Sequence, residues 1–263
     1  MMKAVGIFSR KKASRPLKDY YAQWIAALKN TLLPILRRSM LVSPPALLTS
    51  HVEMLHHHFL AYYEALDLAA SDDVAQLLYP EWRNSLERPF LWLGDFHPYL
   101  FTNLLRSFLD DDDVSDLEIG GNSEFFNKPW QIAMAWENPS ETLTNRVEQI
   151  ECGLRLMVPA LMVRAWDAQA GLIDRLAVDW VKYEGKKEGA KEALGEAMEA
   201  QTEEMIGVFA DANRLRRSVL ADILSATNVF QAALFLEGLA QFLVGFRDPE
   251  LLSEFEQCKM PLT

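Results

Sequence analysis

With 263 residues, 50% hydrophobic and 11% aromatic, the chain can bury a full core, which excludes a mostly disordered protein. Its 26 basic and 37 acidic residues leave a net charge of −11, the wrong sign for a nucleic-acid-binding body. Cys152 and Cys258 have no CxxC spacing and no cysteine–histidine cluster, which excludes a disulfide framework and a structural zinc site.

The opening Met1 to Phe8 is too short an apolar run for a secretory signal, and Met2 fails the myristoylation pattern. A cytoplasmic protein with reduced thiols is therefore expected, with the nucleus as the alternative. Charge is distributed unevenly. Residues 1–18 carry a balance of +6 and no acid, and everything after them carries −17. Residues 1–16 are expected to be a basic, flexible tail. Within it Lys3, Arg10, Lys11, Lys12 and Arg15, with Phe8, are candidates for peripheral contact with an anionic plasma membrane. A merely solvated tail is the competing reading.

Pro16 can start a first helix, whose apolar face carries Tyr20, Trp24, Leu28 and Leu32 until Pro34 kinks or ends it. A second helix begins at Pro44-Pro45 and carries Leu48, Val52, Leu55, Phe59, Tyr63 and Leu66 at helical spacing. Ser71-Asp72-Asp73 reads as the cap of a short turn at residues 74–78. Pro80, Pro89, Gly94 and Pro98 forbid one continuous helix across 80–98, so an aromatic-rich connector is expected there, with Trp82 and Trp92 buried.

Tyr99 to Leu109 predicts another helix. The acidic stretch after it, about residues 110–128, is expected to be a flexible loop. Asp110, Asp111, Asp112 and Asp113 are its candidate partner-docking residues. Pro139-Ser140-Glu141 opens a long helix with Val147, Ile150, Leu154 and Leu161 inside, a kink at Pro159, and Trp166, Ile173, Leu176 and Trp180 beyond. After a turn or frayed start near 185–195, Met205, Phe209, Ala212, Leu215 and Val219 restore the helical period. A last helix runs from about Ser225 to Phe246, apolar enough to invite a membrane reading but interrupted by Glu237. No segment alternates as a strand would. The fold class is all-α: a bundle of long antiparallel helices with proline kinks and an aromatic-rich connector.

Chemical signatures are missing. No GxGxxG, P-loop, HExxH or GxSxG stands in the sequence, so no enzyme, catalytic residue or cofactor is expected. His51, His56, His57 and His58 share one predicted helix, but three consecutive histidines point about 100° apart. A metal or haem site there stays open, with a structural role preferred.

The stretch from residue 54 to 108 carries a family resemblance. His58-Phe59-x-x-Tyr62-Tyr63-x-Ala65, then Asp73-Val74, then Pro80-x-Trp82-x-x-x-Leu86-Glu87-Arg88-x-Phe90-x-Trp92-x-Gly94 is similar to the Delay-of-Germination domain. That family continues with a second glycine and a basic residue before its proline, where this chain reads Asp95-Phe96-His97-Pro98. Tyr20-Tyr21-x-x-Trp24 resembles the start of the domain, and Leu215-Arg216 with Gln231-Ala232-Ala233 its last part. The resemblance spans about 17–247, leaving 248–263 as a C-terminal tail. Relatives among transcription factors carry a basic zipper, which this chain lacks, so direct DNA binding is not expected.

Residues 93–108 and 246–251 are most similar to a branch of the family that acts in pollen aperture formation. That resemblance implies a non-enzymatic factor marking plasma-membrane domains of microspores where exine is not deposited. It also implies partners among other aperture-formation proteins, a protein kinase being one candidate. Self-association stays open, as does the alternative of a nuclear transcriptional co-regulator or a ligand-binding family member. The adjacent Glu87 and Arg88 are expected to be partly buried and structural, and His97-Pro98 to cap the following helix, with a branch-specific binding surface as the competing reading.

Overall fold

The computed structural model describes residues 17–42, 44–109, 130–182 and 187–258. The basic tail at 1–16, the acidic stretch at 110–128 and its four aspartates lie outside them. Helix α1 covers Leu17–Ala27, a π-helical turn covers Leu28–Leu32, and α2 covers Leu33–Val42. Pro34 therefore does not end the helix. The Leu33 N–H bonds back to the Leu28 carbonyl, and this widened turn takes up the register that a proline ring would otherwise clash with. The buried face is shifted as well: Tyr21, Trp24, Ile25 and Leu28 point inward, while Tyr20 is half-buried and donates to the Ala61 carbonyl at 3.1 Å.

Helix α3, Pro45–Leu78, buries Leu48, Val52, Leu55, Phe59, Tyr62, Tyr63 and Leu66, the stripe expected from its spacing. Pro45 occupies the first helical position, where a missing N–H costs nothing. At Asp73 the backbone leaves the helical region, and its carboxylate accepts from the Ala75 and Gln76 N–H groups, so the last turn is capped as a separate unit.

The connector contains a 3₁₀ turn, Arg88–Phe90, and two short antiparallel strands, β1 Leu91–Trp92 and β2 Asp95–Phe96. These strands were not expected; two residues are too few to show alternation. Leu93 and Gly94 both have positive φ, which joins the strands in the twist that two-residue hairpins favour. A Cβ on Gly94 would lie 2.4 Å from Phe209 and 2.8 Å from the Leu77 carbonyl, so glycine is required there by both backbone and space.

Helix α4 is Tyr99–Leu109, followed by α5 Trp130–Ala133, α6 Glu141–Lys182, α7 Lys187–Ala226, α8 Val229–Gly245 and α9 Pro249–Gln257. α6 and α7 pack along one another, and α3 packs against both α7 and α8. α6 runs on through Pro159. The last core helix starts at Val229, not Ser225, because Asn228 and Gln231 form a reciprocal capping box at that point. α8 is largely buried, and Arg37 donates to its Glu237 at 2.8 Å. Among the described residues no single helix is long and apolar enough to cross a membrane. The segment set aside as a C-terminal tail contains α9, capped by Asp248.

Candidate functional site

The densest polar chemistry lies beneath the connector, where α1, α3, the hairpin and the end of α8 meet. Arg83 is 1% exposed and is the hub. Its Nη1 donates to the Tyr21 hydroxyl at 2.6 Å and lies 3.4 Å from Glu87 Oε1. Its Nη2 donates to the Tyr62 hydroxyl and to Asp95 Oδ1, both at 2.5 Å. Tyr21 donates onward to Glu87 at 2.7 Å and Tyr62 to Asp95 at 3.0 Å. Glu87 also accepts from the Asn84 N–H at 3.0 Å and from Arg247 at 3.3 Å. Two cations and two anions thus balance, each tyrosine bridging them with one accepted and one donated bond.

The environment holds the two tyrosines neutral and Arg83 charged. Burial pushes Tyr21 up, with Arg83 opposing and Glu87 adding to the shift, so the phenol stays a donor. Burial raises Tyr62 in the same way. Burial would lower Arg83, but the surrounding Tyr62, Tyr21, Asp95 and Glu87 hold it above its ordinary value. The guanidinium also lies over the Tyr21 ring at 4.0 Å and near Trp82 and Phe96. The cavity lined by Tyr21, Trp24, Phe59, Tyr62, Tyr63 and Asp95 has a volume of about 10 Å³. That is room for roughly one water molecule, too little for an organic ligand.

A second buried arginine holds the hairpin. Arg216 on α7 donates through Nε to the Phe96 carbonyl at 2.8 Å, and through Nη2 to the carbonyls of Trp92, Leu93 and Asp95. Its Nη1 donates to Asn213 at 2.7 Å, and Asn213 donates to Asp67 on α3 at 2.8 Å. Burial lowers the Arg216 pKa, with Asp95 opposing.

Expected and observed partners differ. Glu87 is fully buried, but Arg88 beside it is exposed and donates to the Arg83 and Glu81 carbonyls. The buried counter-charge is Arg83, one helical turn before Glu87, and only that i, i+4 spacing could have marked it. Asp95, noted as a departure from the family pattern, is the second anion. Tyr21 rather than Tyr20 is in the network. Trp92 is 9% exposed, whereas Trp82 is half-buried, its ring 5.1 Å from that of Tyr21. Trp92→Ala is expected to destabilise by about 3–5 kcal/mol in urea denaturation. Equal midpoints for variant and parent would make the connector a surface loop.

Gln231 donates to the Ala135 carbonyl at 2.9 Å, and Leu215 is half-buried. The histidines do not converge. His58 Nε2 donates to the Trp24 carbonyl at 3.1 Å, Trp24 Nε1 returns a bond to the His58 carbonyl, and the rings stack at 4.9 Å. His51 Nδ1 meets Ser39 and His57 Nδ1 the Glu53 carbonyl. His97 Nδ1 accepts from the Tyr99 N–H at 3.2 Å, with Pro98 buried beside it, as a cap for α4. Among the described residues no cluster of three or more His, Cys, Asp or Glu could hold a metal ion.

Burial lowers His58 against the Trp24 bond, lowers His97 with help from Arg216, and lowers His56 with help from His57. Each therefore binds a proton more readily unfolded than folded. Their contribution is complete above the unfolded value near 6.5 and is lost as pH falls below it. Melting temperature should decline between about pH 7.5 and 5.5, less steeply in His58→Gln; a flat profile would contradict this assignment.

A family model described as DOG1, seed dormancy control, matches residues 20–107, which contain Tyr21, Tyr62, Arg83, Glu87 and Asp95. Protein INAPERTURATE POLLEN1 of Arabidopsis thaliana is 47% identical over 267 residues, covering 97% of this chain and 98% of its own. Protein INAPERTURATE POLLEN 1 homolog of Oryza sativa subsp. japonica is 34% identical, covering 94% and 91%. Protein ZW2 of Arabidopsis thaliana is 25% identical over 73% of this chain and 76% of its own. This chain belongs to the INAPERTURATE POLLEN family and carries the seed-dormancy-control domain.

Proposed function

We propose that this chain acts in pollen aperture formation as a non-catalytic scaffold, joining plasma-membrane domains of microspores to partner proteins. The observation that carries the reading is 47% identity to INAPERTURATE POLLEN1 across nearly the whole of both chains. The site supports it. Arg83, Glu87, Asp95 and both tyrosines are engaged with one another away from solvent, so the charges stabilise the fold instead of facing a substrate. Partners are other aperture-formation proteins, a protein kinase being one candidate class.

The membrane contact belongs to the basic residues 1–16, outside the described part. Each adds about 1 kcal/mol at an anionic leaflet, a weak and salt-sensitive hold that needs a second attachment. Deleting residues 1–15 should leave the circular dichroism spectrum unchanged and weaken binding to phosphatidylserine liposomes. Neutralising Asp110 to Asp113 should spare that binding but impair recruitment in microspores. Unchanged liposome binding after the deletion would make the tail merely solvated.

A fluorescent fusion imaged at the tetrad stage tests the whole reading. Puncta at plasma-membrane domains are expected, and restoration of apertures in plants lacking the family member. A purely nuclear signal would replace the scaffold with a transcriptional co-regulator.

A further inference from the structure

Helix α6 has two apolar seams, and α7 covers only one. Ile150, Leu154, Val158, Leu161 and Ala165 are buried. On another face, Leu156, Pro159, Val163, Trp166, Ala170 and Ile173 follow one another at alternating spacings of three and four, and all six are exposed. Cys152 and Ala177, also exposed, continue the spacing at either end. A solvated helix face is normally polar; this alternation is the period of helices that wrap around each other. At 1.5 Å per residue the seam runs for about 37 Å.

Its size is that of a patch that marks an interaction site. Leu156, Val163, Trp166 and Ile173 are between 50% and 70% exposed. Together they present several hundred Å² of apolar surface, against about 300–600 Å² for the largest patch on a typical monomer. One partner in a standard stable interface contributes about 800 Å².

We propose that a second copy of this chain covers the seam, the two α6 helices packing antiparallel about a two-fold axis between Val163 and Trp166. Side-chain sizes favour this occupant. Leu156 of one copy meets Ile173 of the other, Val163 meets Trp166, and the Pro159 ring meets the small Ala170. A parallel pair would instead set Trp166 on Trp166 and Ala170 on Ala170, crowding one layer and leaving a gap in the next. Charges agree too. On the flanks Asp167 falls opposite Ala160, Asp174 opposite Gly153 and Arg155 opposite Leu176, so like charges do not face one another in a chain carrying −11. Such a contact uses the same patch twice and closes as a dimer. It does not depend on where in the cell the protein acts.

Analytical ultracentrifugation of the full chain at about 50 μM gives the test. The parent should sediment as a dimer. Val163→Glu with Ile173→Glu, both at exposed positions, should sediment as a monomer with an unchanged circular dichroism spectrum and melt. In a Cys152→Ser, Cys258→Ser background, Leu156→Cys with Ile173→Cys should form a covalent dimer on mild oxidation. A monomeric parent, or a glutamate variant that stays dimeric, would overturn the proposal. So would a monomer whose glutamate variant loses binding to neutral phosphatidylcholine vesicles, since the seam would then lie on lipid.

Discussion

Arg83→Met should cost about 3–5 kcal/mol of stability, because it leaves Glu87 and Asp95 buried without their shared cation. Methionine has much the same length and no charge, so the loss reports electrostatics more than packing. Native stability is only about 5–15 kcal/mol, so the variant should be at the edge of folding at growth temperature. Tyr21 and Tyr62 would each lose the guanidinium whose N–H they accept, while still donating to their carboxylates. A network that acts as a unit predicts non-additivity. Adding Asp95→Asn to Arg83→Met should recover part of the loss, since the uncompensated charge is then gone while Glu87 keeps Arg247. Urea midpoints measure both effects. An Arg83→Met variant within about 1 kcal/mol of the parent would mean that water reaches the carboxylates and the site is not a closed core.

Arg216→Lys is expected to cost roughly 2–4 kcal/mol although it keeps the positive charge. The planar guanidinium reaches the carbonyls of Trp92, Leu93, Asp95 and Phe96 while holding Asn213. An ammonium has three donors at one point and cannot span that arc, so buried carbonyls lose their partners. The hairpin has few bonds of its own to replace them: its strands are two residues each, with His97 N–H to the Phe90 carbonyl beyond. Hydrogen exchange should therefore quicken first at residues 91–97, ahead of global unfolding. A lysine variant as stable as the parent, with the hairpin equally protected, would show that charge alone suffices.

The two variants separate the jobs of two arginines that look alike in the chain. Arg83 neutralises carboxylates and fails through charge, and Arg216 satisfies backbone carbonyls and fails through geometry. Neither was visible as buried from its neighbours, since Arg88 stands in an equally aromatic stretch and faces solvent.

Local order was legible in the residues themselves. The three-and-four spacing from Leu48 to Leu66, the Asp73 cap, the span of α4 and the breaks at Pro80, Pro89 and Pro98 follow from interactions a few positions apart, which a linear reading contains. Only the tertiary structure decided which charges are buried and what they meet. Arg216 reaches carbonyls about 120 positions away, Arg247 reaches Glu87 across 160, and Tyr21 rather than Tyr20 lies where Arg83 arrives. The same limit applies to α6. Its sequence has apolar residues on two faces, and the burial of one and exposure of the other depend on where α7 lies. A buried charge is stable only beside its counter-charge, and a helix face is apolar-in only if something covers it. Both conditions are set by elements distant in the chain, so they are settled when the bundle closes.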